Sequence, residues 1–326
     1  MNLLLIGAGQ LGSRHLQACL KLKNAFNIYV VDNSASSIAI SEERTKQIEH
    51  GAAHKVLYFQ NLEQIGEKEF EYMIIATNAS VRFIVLEEAL RRFNVRYTIF
   101  EKVLFQDVES YAKASELLKV NNVTAFVNCP LRAYSFYQMV KIKYINRDIP
   151  TQLNYIAGEW CGLACNAIHF IDLMNYLTDS EIESVSKSGL DNTIVQSKRL
   201  GYIEFTGTLN IAFTKGARAI LQSIKGSAAD SVLEIINGKT KIAINELTGA
   251  YSVYTDNNLV EESQFDLVYQ SNLTNKIIEQ IGNDGSCDLI DYEKSRMLHE
   301  KFLTALIDHY NSISVNVDDV AILPIT

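Results

Sequence analysis

The string Gly7-Ala8-Gly9-Gln10-Leu11-Gly12 follows a short apolar run and opens an amphipathic one. In such a turn Gly7 permits the tight bend, Gly9 lets a pyrophosphate approach the backbone, and Gly12 lets helix pack on strand. The anion then meets the unpaired amides at the positive end of the helix, where Gln10 and Leu11 lie. Asp32 ends the next apolar run, 20 residues beyond Gly12. A carboxylate there accepts hydrogen bonds from a ribose diol and repels a 2′-phosphate. Asn33 and Ser34 follow with no Lys or Arg beside them, which favours NAD over NADP.

Lys102 and His169 offer a second kind of chemistry. Moving hydride from a secondary alcohol to a nicotinamide requires a base for the hydroxyl proton and a cation for the developing alkoxide. An imidazole, with an ordinary pKa of about 6.5, suits the first role, and an ammonium at a strand end suits the second. On a helix over residues 163–177, Cys165, His169, Asp172 and Tyr176 share one stripe. His169 is therefore the expected proton carrier and Lys102 its electrostatic partner, while Asp172 either orients His169 or serves helix packing. Cys161, Cys165, His169 and Asp172 also look like a ligand string. Residues eight apart on a helix are separated by about 12 Å, too far for Cys161 and His169 to reach one ion through bonds of about 2.0–2.3 Å. No metal is expected. Asn128 and Arg132 are candidate substrate contacts; the arginine would hold a carboxylate or phosphate in bidentate fashion, or else form a salt bridge. Cys165 and Asn166 join them. Trp160 and Tyr134 would stack on a sugar ring or pack in a core. Arg14 and His15, on the first helix, would touch ligand or simply be solvated, and solvation is the preferred reading for both.

These groups need a scaffold. Apolar runs at 2–6, 27–32, 56–59, 72–76, 97–100 and 123–127 are not polar on alternate positions, as expected of strands buried on both faces. Between them lie amphipathic stretches at 11–23, 80–93 and 107–121. In the second, Phe83, Leu86, Ala89, Leu90 and Phe93 fall on one side. Strand–helix alternation of this kind requires a parallel sheet with helices on both faces. The expectation is an α/β chain: a doubly wound, Rossmann-type parallel sheet over residues 1–122, with the strand at 123–127 as its edge and the passage onward. Beyond it the rhythm changes. Helices are expected at 134–145, 163–177, 273–281 and 292–310, and Pro150 marks an extended entry into the next element. Half-buried strands are expected at 202–210, 217–224, 231–236, 241–245 and 251–254, with a two-residue hairpin turn around Asn237-Gly238. Residues 123–326 thus read as an α+β substrate-binding and oligomerisation domain with a large, mostly antiparallel sheet. Its open face predicts a homodimer or homotetramer.

Composition narrows the classes. Thirty basic against 38 acidic residues give a net charge of −8, and no dense basic run appears, so nucleic acid is not the expected ligand. No apolar stretch reaches the roughly 18–20 residues that span a bilayer. Five cysteines without a secretion signal read as reduced thiols in the cytoplasm.

The fifth strand ends Phe100-Glu101-Lys102-Val103-Leu104, the fourth ends Ala76-Thr77-Asn78, and His169-x-x-Asp172 comes later. With the glycine turn, these features make the chain resemble the Gfo/Idh/MocA oxidoreductases, the glucose–fructose oxidoreductase and inositol dehydrogenase family. The closing Leu323-Pro324-Ile325-Thr326 is similar to the tail of members from surface-polysaccharide and nucleotide-sugar pathways. The resemblance implies that Lys102 contacts substrate hydroxyl and nicotinamide ribose, that Thr77, Asn78 and Glu101 lie at the cofactor, and that His169 transfers the proton. Val103 stands where the family has proline, and Cys165 where it has aspartate. The resulting expectation is an NAD-dependent oxidoreductase acting on a hydroxyl or keto group of a sugar, polyol or nucleotide sugar. The alternatives are a non-catalytic NAD-binding regulator or partner protein, and a reductase of an unsaturated or imine substrate.

Overall fold

A computed structural model describes residues 1–314 and 320–326. The chain runs β1 (Asn2–Ile6), α1 (Gly12–Cys19), β2 (Asn27–Val31), α2 (Ala35–Thr45), β3 (Lys55–Phe59), β4 (Glu69–Ile75), α3 (Ala79–Arg92), β5 (Asn94–Glu101), α4 (Glu109–Val120) and β6 (Thr124–Asn128). Next come α5 (Ser135–Lys143), β7 (Thr151–Gly158), α6 (Leu163–Thr178), β8 (Ile182–Gln196), β9 (Ile203–Phe213), β10 (Arg218–Ile224), β11 (Val232–Asn237), β12 (Thr240–Ile244), β13 (Ala250–Thr255) and β14 (Asn258–Gln264). It closes with α7 (Thr274–Asp284), β15 (Ile290–Asp291) and α8 (Tyr292–Ile313).

Two compact units result. The first comprises Met1–Phe105, Glu109–Asn128 and Val268–Lys294; the second comprises Gln106–Val108, Cys129–Leu267 and Ser295–Thr326. Where the sequence suggests one cut after residue 122, packing keeps β6 with the first unit and brings Val268–Lys294 back to it. The expected second domain, 123–326, also contains residues 315–319, which lie outside the described residues.

The first unit is the expected Rossmann-type sheet, in the order β15-β6-β5-β4-β1-β2-β3. β1 to β6 are parallel, because each crossover carries the chain back over a face of the sheet. Leu3, Leu4 and Leu5 of β1 are fully buried, the signature of a strand covered on both sides. β6 is not the edge that its position in the sequence suggests. β15 pairs antiparallel with it, Ile290 opposite Val127. Neither α2 nor β15 announces itself in the sequence: α2 buries only Ser41, so it has no apolar stripe, and β15 is two residues long.

The second unit is built on an eight-stranded sheet, ordered β14-β13-β12-β11-β7-β10-β9-β8, antiparallel except where β10 runs parallel to β7. β7 begins one residue after Pro150 and alternates, with Leu153, Tyr155 and Ala157 buried. β8 is 15 residues long but mostly exposed and broken by three register shifts, so no alternation marks it. In the β11–β12 hairpin Asn237 pairs with Thr240, so the turn is Gly238-Lys239, with Gly238 at φ +58°. Asn237 instead spends its amide on the carbonyls of Asn146 and Ile149 and the Thr151 hydroxyl. The carboxyl-terminal strip is built in: Leu323 and Ile325 are fully buried, and the Pro324 carbonyl accepts from the Ile203 amide. Among the described residues no helix is long and apolar enough to cross a membrane.

Candidate active site

β1 and β4 are neighbours, and their carboxyl ends carry the glycine turn and Ala76-Thr77-Asn78. Gly7 has φ +96°, and a Cβ there would lie 2.8 Å from the Ala76 carbonyl carbon. A Cβ on Gly12 would lie 1.8 Å from the Gly7 carbonyl oxygen, so a side chain at 12 breaks the turn. Gly9 differs: its Cβ would meet nothing within 4 Å. Its side faces open space, as a backbone approached by a ligand should. The Asp32 carboxylate accepts from the amides of Ala8 (2.7 Å) and Ser34 (2.8 Å). Two of about four lone-pair directions remain to accept a ribose diol. Thr77 adds a buried hydroxyl with no hydrogen-bond partner, and Asn78 heads α3. Glycine cradle, carboxylate and orphaned hydroxyl together suit a dinucleotide. One contact goes beyond the sequence reading. Arg44, at the end of α2, donates to the Gln10 carbonyl (3.0 Å), the Gln10 Oε1 and the Ser13 hydroxyl (2.5 Å). Leu11 heads α1 without a side-chain cap.

Lys102 follows the last residue of β5 and is half-buried. The Glu101 side chain, expected at the cofactor, instead turns into the first unit. It accepts from Asn128 Nδ2 (2.5 Å) and pairs with His15 Nε2 at 2.8 Å. Burial raises its carboxyl, but the hydrogen bond and charge of His15, with Asn128, hold it below the ordinary carboxylate range. His15 is therefore not solvated. It is fully buried, and its Nδ1 lies 2.8 Å from the Thr274 hydroxyl of α7. Arg14 is exposed as expected. Asn128, proposed for substrate, is committed to Glu101 and to Gln270 (2.8 Å). On the other flank of Lys102, the buried Arg82 of α3 donates to the carbonyls of Val103, Leu104 (2.9 Å) and Thr77.

In the second unit α6 carries the stripe of Cys165, His169, Asp172 and Tyr176. Gly162 precedes the helix and provides no capping side chain. Glu204 of β9 takes that role, accepting from the amides of Ala164 (2.8 Å) and Cys165 (3.4 Å). A side chain on Gly162 would collide with that carboxylate. Cys165 is buried and His169 half-buried. The Asp172 carboxylate is paired with an arginine: its Oδ2 accepts from Arg132 Nε at 2.8 Å, and Arg132 Nη2 also reaches Asn175 Oδ1 at 3.1 Å. Burial, outweighing the guanidinium, pushes the Asp172 carboxyl up to about 6. Arg132 is buried in this pair and over the Tyr176 ring, so it is not presented to a substrate anion. Asn166 donates to the Gly162 carbonyl, and Trp160, a residue 39% exposed, donates to the Ala229 carbonyl. Tyr134 stacks on Tyr137.

Two variants check these assignments. Gly9→Ala should leave the unfolding free energy of the ligand-free protein within about 0.5 kcal/mol and weaken NAD binding about tenfold or more, some 1.4 kcal/mol, by calorimetry. Equal affinity would mean that no ligand approaches Gly9. Arg132→Met strands a buried carboxyl and should destabilise by about 3–5 kcal/mol near neutrality. Without its cation, Asp172 would hold its proton to still higher pH. The folded variant then favours the protonated acid, so its deficit should shrink between pH 8 and pH 5. A thermal deficit as large at pH 5 as at pH 8 would separate the pair from the loss.

Residues 1–129 match the Gfo/Idh/MocA family, an oxidoreductase family with an NAD-binding Rossmann fold. No curated protein matches the sequence. Among solved structures, the chain is similar to UDP-N-acetylglucosamine 3-dehydrogenase GnnA from Acidithiobacillus ferrooxidans, at 15% identity and TM-score 0.67, over 94% of this chain and 96% of that one. It is similar to an Agrobacterium radiobacter oxidoreductase, solved with NAD+, L-tartaric acid and magnesium, at 13% identity and TM-score 0.68, over 96% and 97% of the two chains. It is also similar to the transcriptional regulator Gal80p from Kluyveromyces lactis, at 13% identity and TM-score 0.68, over 93% and 90%. At these identities the likeness is one of fold. The glycine turn and the sheet order agree with the match over residues 1–129, which is to the NAD-binding Rossmann fold of the Gfo/Idh/MocA oxidoreductases.

Proposed function

We propose that the protein is an NAD-dependent oxidoreductase moving hydride to or from a hydroxyl or keto carbon of a sugar, polyol or nucleotide sugar. The observation that carries this reading is Lys102, an ammonium at the carboxyl end of β5 in the sheet that bears the glycine turn. Asp32 supports NAD: its carboxylate accepts from ribose hydroxyls and repels a 2′-phosphate. When bound, the nicotinamide accepts or gives the hydride. Lys102 stabilises the negative oxygen of the reacting carbon, and His169 takes or returns the hydroxyl proton. GnnA, a nucleotide-sugar dehydrogenase by name, has the same fold and is consistent with this substrate class. Lys102→Met should lower turnover about 10²–10³-fold while NAD still binds, measured as NADH absorbance across sugars, polyols and nucleotide sugars. Unchanged turnover in an active enzyme would remove lysine from the chemistry.

One observation favours a second reading. Cys165 stands where the family has aspartate, which removes one carboxylate from the site, and the carboxylate of Asp172 is paired with Arg132. A non-catalytic NAD-binding protein follows if NAD binds but no substrate in that panel reduces it.

The reading includes self-association through the sheet of the second unit. Ile156, Ile224 and Val232 lie on one face of the neighbouring strands β7, β10 and β11, each 40–49% exposed. Light scattering should give a multiple of 36.7 kDa; a single-chain mass refutes it.

A further inference from the structure

Among the described residues Arg82 is the largest fully buried side chain, and it is charged. A buried guanidinium is tolerated only where acceptors replace its water, and its planar fork suits several acceptors held in fixed directions. Here those acceptors are backbone carbonyls beyond the ends of two adjacent strands: Thr77 after β4, and Val103 and Leu104 after β5. The arginine thus ties the two strand ends together. The segment it holds is otherwise apolar and sealed: Val103, Leu104 and Phe105 are essentially unexposed. Tyr111 closes it from α4, its hydroxyl 3.3 Å from the Phe105 amide and 3.2 Å from the Phe105 carbonyl.

Lys102 lies between two anchors. Before it, Glu101 is fixed by His15 and Asn128; after it, Val103 and Leu104 are fixed by Arg82. The lysine itself is half-buried, with its two flanking residues buried. We propose that Arg82 is a positioning residue for Lys102: by gripping the two carbonyls that follow the lysine, and the Thr77 carbonyl beside them, it holds the ammonium in one direction at the sheet edge. Valine at 103 lacks a ring to stiffen the backbone, and the guanidinium supplies that restraint from α3. The consequence for turnover rests on the oxidoreductase reading; the placement of Lys102 does not.

The test separates the two. Lysines are ¹³C-dimethylated, and the Lys102 signal is assigned by its absence in Lys102→Met. In the wild-type protein with saturating NAD it should be one narrow line, shifted from its NAD-free position. In Arg82→Met the line should broaden or split and lose at least half of its NAD-induced shift, while signals from Lys141 and Lys143 in the second unit stay in place. Should Arg82→Met fail to fold, Arg82→Lys, which keeps charge and stem but not the planar fork, makes the same comparison. An unaltered Lys102 line and NAD shift in a folded Arg82 variant would overturn the proposal. With any substrate that turns over, kcat should fall about 10–100-fold, and by more than NAD affinity does. An altered line with no turnover from any substrate leaves Arg82 as the positioner and removes the oxidoreductase reading instead.

Discussion

The first unit is organised around one close approach. The Gly7 carbonyl occupies the space that a side chain on Gly12 would need, and Gly7 itself lies against the backbone of Ala76 and Thr77. Only with both side chains absent can α1 begin directly above β1 and beside the end of β4. Other contacts at this corner follow from it. The Ala8 amide comes within reach of Asp32, and the Gln10 carbonyl on the outer side of the turn is left for Arg44. Among the described residues the Arg44 guanidinium donates only to uncharged groups, so its positive charge adds to that of the helix end it braces.

Buried charge fixes the ends of elements in both units, and by the same physics. A charge removed from water must find hydrogen bonds or an opposite charge. In the first unit His15 of α1 meets Glu101 at the end of β5, and Arg82 of α3 meets three carbonyls. In the second, Glu204 of β9 meets the amides that open α6, and Arg132 meets Asp172 two turns further along the same helix. In each case a helix is set against its neighbours at a defined height, which apolar packing alone specifies less sharply because many registers bury similar area.

Much of this was legible from the residues. Strands β1, β2, β4, β5 and β6 read correctly because burial on both faces leaves unbroken apolar runs, and the glycine turn is a local signal with a local cause. β8 and β14 are largely solvent-facing, so no two-residue period survives in them. Arg82 left a trace that was available: it shares the buried stripe of α3 with Leu86, Ala89 and Leu90, a place where a charge is out of pattern, whereas Phe83, assigned to that stripe, is only half-buried. Glu204 left none, and the salt bridge open to Arg132 came with no sign that Asp172 was its partner. Their partners are 40 residues distant in the chain and meet only through tertiary structure. The helical stripe correctly put Asp172 one turn from His169, but spacing on one helix does not reveal a competing arginine on another segment.

Val268–Lys294 belongs to the first unit although more than a hundred residues of the second precede it in the chain. α7 supplies Thr274 to His15, Gln270 reaches Asn128, and β15 covers the side of β6 that would otherwise be bare. On a ribosome the nucleotide-binding module is therefore incomplete until nearly 300 residues have emerged. Until then β6 is an open strand edge and a buried histidine lacks one of its neighbours, so the fold that is written first is among the last to close.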